Sequence, residues 1–394
     1  MLLGDDILAG DATNYHNNAL QIRWGEHFGP YWPPALPYYL AGWIWLLGGA
    51  NWVMTLAMLC LYAAFFFLLH TLLPTHFKQS QQAIIHGLFA IYPGFIHHAV
   101  SPLSQLMAAV LLLLVWTGVR QEKIRWWLGI PLGVLILLRP SSLVLVALVW
   151  LWLIWQRKWL GLVVSAAIVC LMIGGWVLRA HQMTDRWIWI NDANGYNFWL
   201  GNNPQTPLYK SWWLGSHDES DDPQMAVFYQ TRDSIKNLPP ARHASSFSQK
   251  ARAHIQDQPG LFVLRSLNRI RVFFAFNTYV GGSWQGKNRW LAMLLLGLDA
   301  LCYLLLMSGW ILFWQNKRLH WMILATVLAY ALPYFLAFSH PNYHLPLMGL
   351  IALATVNDWT DMSRKKLISQ IKKRWLLLLL LGLIQLEWVW WMMG

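Results

Sequence analysis

The chain has 394 residues, is 57% hydrophobic and only 12% charged, and has a mean hydropathy of +0.38. This composition excludes an ordinary soluble globular protein, and apolar runs long enough to cross a bilayer recur along the sequence. The net charge of +12 does not indicate nucleic-acid binding, because Lys and Arg lie between the apolar runs and form no basic stripe. The three cysteines all lie inside apolar runs, so they predict neither disulfides nor a metal site.

The N-terminal segment places an acidic residue just before the first apolar run. Asp11 and Glu26 precede the proline-rich stretch Trp32–Pro37, and proline restricts both its own backbone and that of the residue before it. The apolar piece that follows, 36–50, ends at two glycines and predicts a half-inserted helix. We therefore expect residues 1–35 to form an external loop that holds a carboxylate at the lipid–water boundary.

The remaining apolar runs predict an all-α polytopic membrane protein with about ten transmembrane helices. We place these helices at about 52–73, 82–96, 103–119, 126–138, 141–156, 160–178, 291–314, 320–337, 344–357 and 375–393. Three domains follow the N-terminal loop: a transmembrane bundle over 36–180, an external loop domain of mixed structure over 181–290, and a second bundle over 291–394.

Basic residues fall in alternate gaps between these runs, which predicts the orientation of the chain. The positive-inside rule assigns these gaps to the cytoplasm; they contain Lys78, Arg120, Lys123, Arg125, Arg157, Lys158, Lys317, Arg318 and the cluster over 364–374. The N-terminal segment, His97-His98, the loop 181–290 and Ser339–His344 then share the external face. Because nothing within residues 1–33 would carry them across a membrane, we expect a first span upstream of Met1.

The external face gathers groups suited to displacement at a sugar carbon that bears a lipid phosphate. Such a reaction needs a base for the acceptor hydroxyl and cations for the departing phosphate. Asp11 is the candidate base, and Arg139, before Pro140, is a candidate partner for phosphate because its planar fork matches phosphate oxygens. Snorkelling to the interface is the alternative explanation for Arg139. Glu26, His97 and His98 are weak metal candidates, since adjacent histidines lack ligand spacing.

Several ordered motifs resemble a known family, the polytopic glycosyltransferases that use polyprenyl-phosphate sugars. This family, of the C-type superfold, includes protein O-mannosyltransferases and the aminoarabinose transferase of lipid A. The resemblance rests on five stretches that follow the family's order along nearly the whole chain: Gly10–Ala12 with Tyr15 and Ala19, Trp32–Pro34 with Pro37, Arg139-Pro140, Gly201–Pro204, and His340–Pro346.

The resemblance implies a role for each matched position. Asp11 takes the place of the catalytic base, and the expected substrate-binding residues are Tyr15, Glu26, Trp32, Arg139, Tyr343 and His344. It also implies a polyprenyl-phosphate sugar donor, a bacterial cytoplasmic membrane with the large loop periplasmic, and an undefined cofactor for which a divalent metal is the candidate. Three departures are visible: the family's first span is missing, Gln105 stands where many members have Glu, and Asn342 stands where Arg is frequent.

Other functions stay open at this stage. A ligase or polymerase of lipid-linked glycans is expected to need paired arginines in an external loop, whereas the arginines of 181–290 are scattered. A transporter or flippase predicts charges in mid-membrane and related halves, which the sequence does not show. The changes at Gln105 and Asn342 also fit a relative without catalytic activity.

Overall fold

The computed structural model describes residues 10–26, 29–73, 79–121, 126–208, 214, 225–277, 288–314, 317–357 and 364–393. Within these ranges all regular structure is helical and no β-strand occurs, which confirms the predicted all-α class. The prediction of a mixed loop domain is wrong for the described parts of 181–290, because they contain helices only. Their apolar positions recur with a helical period, and long-range strand pairing is not needed to cover them.

The described part of the N-terminal half contains nine α-helices before the loop domain over 181–290. They are α1 (Asp11–Arg23), α2 (Ala35–Leu47), α3 (Asn51–Leu72), α4 (Gln79–Ile91), α5 (Pro93–Val100), α6 (Ser104–Arg120), α7 (Gly129–Leu138), α8 (Leu143–Trp155) and α9 (Trp159–Thr184). Short 3₁₀ turns, Trp126–Leu128 and Pro140–Ser142, precede α7 and α8. A contiguous apolar core runs through this half and continues into the C-terminal helices.

The described part of the external loop forms four helices around a smaller core of its own. They are α10 (Ala193–Gly201), α11 (Ala226–Lys236), α12 (Pro240–Asp257) and α13 (Pro259–Phe273). Trp199 stacks on Phe228 with ring centroids 4.7 Å apart and packs against Phe247, which joins three of these helices. This core is separate from that of the membrane bundle, so the loop is a small domain in its own right.

The C-terminal half returns the chain to the bundle. It contains α14 (Arg289–Phe313), α15 (Arg318–Leu336), a 3₁₀ segment (Pro341–Leu347), α16 (Met348–Asn357) and α17 (Arg364–Met393). The 3₁₀ segment packs against α5, α6 and α13. Pro341 and Pro346 explain its irregular form, because proline removes backbone donors that an α-helix would use.

Among the helices that the structure describes, four are long and apolar enough to cross a membrane, or five if the bent pair α4–α5 counts as one span. The four are α3, α9, α14 and α15. Large apolar side chains on them point outward: Leu160, Leu171 and Trp290 are all more than three-quarters exposed. An exposed apolar surface of this kind suits contact with lipid, so the chain has the properties of a helical membrane protein.

The structure does not confirm ten full-length spans. The runs predicted at 126–138 and 141–156 become α7, with 10 residues, and α8, with 13 residues. At 1.5 Å per residue these helices measure roughly 15 to 20 Å, less than the apolar core of a bilayer. The run at 82–96 is bent by 61° between α4 and α5, where Pro93 begins the second helix. Prolines therefore divide stretches that hydropathy alone reads as continuous.

The N-terminal segment also differs from the expected loop, because Asp11–Arg23 forms the 13-residue helix α1. Gly10 precedes it with a φ of 58°, a backbone conformation that glycine adopts without strain. Asp11 lies in the first turn, where the helix dipole favours a negative charge. α1 packs along α2, and α2 is the helix expected from the apolar piece after the prolines.

Asp299 has a structural role that its sequence position did not reveal. The sequence places it near the end of an apolar run, whereas it lies ten residues into the 25-residue helix α14 and is fully buried. Its carboxylate accepts hydrogen bonds from the backbone N–H of Gly94 at 2.8 Å and of Asn277 at 3.2 Å. Asp299 thus fastens the start of α5 and the end of the external domain to α14.

The orientation of the bundle is the first testable prediction. We expect a phosphatase reporter fused after Asn203 to be active and one fused after Lys158 to be inactive, because basic gaps stay in the cytoplasm. A green fluorescent reporter at the same two sites should give the opposite pattern. Equal signals at both sites would contradict the orientation.

Candidate functional site

Four of the residues singled out from the sequence meet at one end of the bundle. Asp11 and Tyr15 come from α1, Arg139 from the end of α7, and Tyr343 from the 3₁₀ segment. Asp11, Tyr15 and Arg139 all act electrostatically on Tyr343, and Asp11 and Arg139 both act on Tyr15. Residues more than 300 positions apart in the sequence therefore share one site.

Pro140 explains how Arg139 reaches this site. The residue before a proline is disfavoured in the helical conformation, and Arg139 accordingly leaves the helix with φ −146° and ψ 99°. This extended backbone ends α7 and turns the side chain towards α6 and α15. The guanidinium then lies inside the protein and does not follow the helix surface to the interface.

The guanidinium of Arg139 is buried among neutral groups. It donates to the hydroxyl of Tyr334 at 2.9 Å and to the hydroxyl of Ser104 at 2.8 Å, and it lies 5.3 Å from the ring centre of Tyr343. Its Nε has no partner, and no acidic group of the described residues lies within 4 Å of it. A buried cation without a counter-ion is costly, so this position favours the binding of an anion. The burial also disagrees with the snorkelling alternative.

The carboxylate of Asp11 lies within electrostatic range of Arg139. The residue is exposed, yet the protein around it partly excludes water, and this desolvation raises the pKa of Asp11 above its ordinary value. The charge of Arg139 acts in the opposite direction and lowers the pKa, so the two groups sense each other. They form no ion pair, because no N–O distance between them is 4 Å or less. The carboxylate and the guanidinium are thus close enough to interact electrostatically but are not in direct contact.

Aromatic side chains pack around Tyr15, one helical turn along α1 from Asp11. Tyr15 is buried, its side chain interacts with that of Ser104, and its ring lies 5.5 Å from that of Trp32. Trp32 in turn contacts Tyr31 edge to face. The same Ser104 hydroxyl accepts from Arg139, so α1 and α7 are linked through one residue at the start of α6.

An apolar cleft lies below Arg139, within the bundle. It has a volume of about 70 Å³, is partly open to the outside, and is formed by α6, α8, α15 and α16. Two residues of its lining locate the cleft relative to Arg139. Leu112 lies eight residues after Ser104 on α6, and Thr326 lies eight residues before Tyr334 on α15. At 1.5 Å per residue, each lies about 12 Å along its helix from the residue that bonds to Arg139. The buried cation therefore stands above a hydrophobic cleft, an arrangement that fits an anionic head group with an apolar tail.

Two of the expected substrate-binding residues lie apart from this centre. Glu26 is exposed beyond the end of α1, and the 13-residue helix separates it from Asp11 by roughly 20 Å. His344 is buried and directs Nδ1 to the backbone carbonyl of Phe273 at 2.9 Å, with its ring 4.9 Å from that of Tyr303. His344 thus joins the 3₁₀ segment to α13 and α14, and its contacts are those of a structural anchor.

The metal candidates Glu26, His97 and His98 are not brought together. Among the residues that the structure describes, no group of three or more His, Cys, Asp or Glu side chains has a metal-binding arrangement. The rings of His97 and His98 lie 5.2 Å apart on α5, whereas Glu26 lies at the far end of α1. A divalent metal therefore finds no ligand set in these three residues.

Two arginines of the external domain hold the Gly201–Pro204 motif. Arg265 donates to the carbonyl oxygens of Asn203 and Thr206, and Arg269 donates to those of Gly201 and Leu336. Desolvation by burial lowers the pKa of Arg265 to about 10 and that of Arg269 to about 9. Because Leu336 ends α15, two residues after Tyr334, these bonds attach the external domain beside the candidate site.

Gly201 gives the second testable prediction. A Cβ added there would overlap the backbone oxygen of Ala337, which no side-chain movement relieves. We expect Gly201→Ala to destabilise the protein by at least about 1–3 kcal/mol and to lower the midpoint of thermal unfolding of the detergent-purified chain. Gly260→Ala is the matched control, because its Cβ would meet nothing within 4 Å. Equal midpoints for both variants would contradict this packing.

The sequence did not identify Ser104 and Tyr334, which accept hydrogen bonds from Arg139. It also did not identify His98 as a buried neighbour of Arg139. Ser104 was noted only through its neighbour Gln105, and Tyr334 lies in an apolar run where a tyrosine carries little signal. Comparison of the chain with protein-family models, curated proteins and solved structures gave no match. The functional argument therefore rests on the geometry described above.

Proposed function

We propose that this protein is an inverting glycosyltransferase that moves a sugar from a polyprenyl-phosphate donor to an acceptor at the external face of the membrane. One observation carries the proposal: the exposed carboxylate of Asp11 lies within electrostatic range of the buried guanidinium of Arg139 without pairing with it, and an apolar cleft begins about 12 Å further along the helices that contact Arg139. A base, a phosphate site and space for a lipid chain then lie in the order that the reaction needs.

The reaction assigns a distinct step to each charged group. Asp11 takes the proton of an acceptor hydroxyl while the acceptor oxygen forms a bond to the anomeric carbon of the donor sugar. The bond between that carbon and the phosphate oxygen breaks, and its electron pair leaves with the polyprenyl phosphate. Arg139 stabilises the charge that develops on the phosphate, and attack from the opposite face inverts the anomeric centre.

Neutral hydroxyls complete the phosphate site. The hydroxyls of Tyr334 and Ser104 each accept a hydrogen bond from Arg139, so the guanidinium is held from two sides. The Tyr334 hydroxyl in turn accepts from the hydroxyl of Ser141 at 2.9 Å. Fixing a cation before the substrate arrives reduces the reorganisation required during the reaction. The Tyr343 ring contacts the guanidinium face and leaves its donors directed elsewhere.

The contacts in the structure give less support to the competing functions than to a glycosyltransferase. A glycan ligase is expected to use free external arginines, but Arg265 and Arg269 already donate to backbone carbonyl oxygens within the protein. A transporter is expected to carry charges in mid-membrane that bind its substrate, whereas the buried carboxylate of Asp299 accepts two backbone hydrogen bonds within the protein. A relative without activity retains the fold, and the experiment below distinguishes it.

Radiolabel transfer tests the proposal. Purified protein in lipid nanodiscs is incubated with a panel of polyprenyl-phosphate sugars labelled in the sugar and with bacterial envelope fractions as acceptors. We expect label to move from at least one donor to the acceptor fraction, with free polyprenyl phosphate as the second product. Binding of the donors without any transfer would support the inactive relative, and the absence of both binding and transfer would refute the proposal.

The proposed location follows from the same arrangement. The external end of the bundle carries Asp11, Tyr343 and the loop domain, so the reaction would occur on the periplasmic face of a bacterial cytoplasmic membrane. The bilayer supplies the lipid-linked donor laterally, and the partly open cleft gives its chain a place beside the helices. The acceptor is an envelope lipid, glycan or protein that reaches Asp11 from the aqueous side.

A further inference from the structure

A second group of polar side chains is buried next to Arg139 and plays no part in the reaction described above. The side chain of His98 is fully buried at the end of α5, and neither of its ring nitrogens has a hydrogen-bond partner. His98 lies within electrostatic range of both Arg139 and His340. It therefore stands beside the phosphate site with a donor and an acceptor unused.

Asn342 continues this group on the 3₁₀ segment. Its backbone N–H donates to Nδ1 of His340 at 3.1 Å, while its side-chain Oδ1 is buried without a partner. The next residue, Tyr343, lies under the guanidinium of Arg139. Gln105 has the same character, because it is buried beside Ser104 and its Oε1 has no partner. The elements α5, α6 and the 3₁₀ segment pack on one another, and each thus carries a buried polar group without a partner.

Unpaired polar groups inside a protein are costly, and a cluster of them indicates a polar occupant. Neither amide carries a charge, and a buried imidazole without a carboxylate partner is most stable in its neutral form. The cluster offers both donors and acceptors, which is the pattern that sugar hydroxyls satisfy. Its position beside the phosphate-binding cation matches that of a sugar joined to this phosphate.

We infer that His98, Gln105 and Asn342 bind the hydroxyl groups of the donor sugar and select an uncharged sugar over a cationic amino sugar. This inference rests on the proposed function. A cationic sugar would lose water near Arg139, whose positive charge repels it. Asp11 is the carboxylate that interacts electrostatically with Arg139, but in the proposed reaction it takes the proton of the acceptor hydroxyl. It is therefore not available as the counter-ion of a cationic sugar.

Binding measurements on the full chain in nanodiscs test the inference. Three lipids are compared by competition: sugar-free polyprenyl phosphate, the same lipid bearing a neutral hexose, and the same lipid bearing aminoarabinose. We expect the hexose to increase affinity at least tenfold over the sugar-free lipid, which corresponds to about 1.4 kcal/mol of binding free energy. Aminoarabinose should increase the affinity less.

Variants locate the effect in the cluster. We expect His98→Ala and Asn342→Ala to remove the gain from hexose while binding of the sugar-free lipid stays unchanged. His98→Gln, which keeps a donor and an acceptor, should restore part of the gain and guards against simple misfolding. His86→Ala is the control, since that histidine lies on α4 and already bonds to the carbonyl of Gln82 within its own helix.

The outcomes separate the inference from the proposed function. If wild-type protein binds no polyprenyl phosphate at all, both fail. If it binds all three lipids equally, or binds aminoarabinose lipid as tightly as hexose lipid, the inference alone is refuted. A hexose gain that persists in both His98→Ala and Asn342→Ala also refutes it, because buried water then explains the unpaired groups.

Discussion

Replacement of Asp11 by Asn should abolish sugar transfer and leave the fold intact. Asn keeps the shape of the side chain but cannot accept a proton, and general-base catalysis contributes about a hundred- to ten-thousand-fold. The exposed position of Asp11 and the absence of an ion pair predict little change in thermal stability. The measurement is the turnover number with saturating donor, together with the unfolding midpoint of the same preparation.

Glu26→Gln is the matched control for this change. Glu26 is also an exposed acid of the N-terminal segment, but it lies beyond the opposite end of α1. We expect its turnover to remain within a few-fold of wild type. Wild-type transfer by Asp11→Asn, expressed at the normal level, would exclude the base assignment and favour the inactive or transporting alternatives.

The same assignment predicts the acid side of the pH profile. Only ionised Asp11 accepts a proton, so the rate should rise with pH until the carboxyl has titrated. Because desolvation raises the pKa of Asp11, this rise should occur at a higher pH than for an ordinary aspartate. Arg139 lowers the pKa, so any residual activity of Arg139→Ala should begin at a still higher pH. A shift of the profile in the acid direction would contradict this coupling.

Replacement of Arg139 by Ala should weaken donor binding by about thirtyfold or more. Removing one member of a buried charge pair costs roughly 2 kcal/mol or more, which corresponds to this factor. Arg139→Lys should have an intermediate effect, because Lys keeps the charge but loses the planar fork. The measurement is the dissociation constant of sugar-free polyprenyl phosphate, which isolates the phosphate contact from sugar recognition.

Arg179→Ala provides the comparison for Arg139. Arg179 also lies at the external end of an apolar helix, but it is exposed and belongs to α9. We expect its dissociation constant to equal that of wild type. If both alanine variants bind the donor normally, the guanidinium of Arg139 is a structural group that connects α7 with Tyr334 and Ser104.

The resemblance and the structure agree on part of the site by different routes. Asp11, Tyr15, Arg139 and Tyr343 were chosen from motifs, and the structure brings these four together. Each carries a local signal in the sequence, such as a carboxylate before a proline-rich segment or an arginine before a proline. Glu26 has no comparable constraint on its position, and helix α1 carries it away from Asp11.

The sequence by itself determined the helical class, the apolar character of the bundle and the point at which Arg139 leaves its helix. These properties are local: they depend on hydropathy over one segment and on the steric effect of Pro140 on its neighbour. Only the tertiary structure decided that Arg139 is buried against Ser104 and Tyr334, that His344 bonds to Phe273, and that Asp299 fastens α5 to α14. Such contacts join residues far apart in the chain, and their energies depend on which helices pack together, which no single segment specifies.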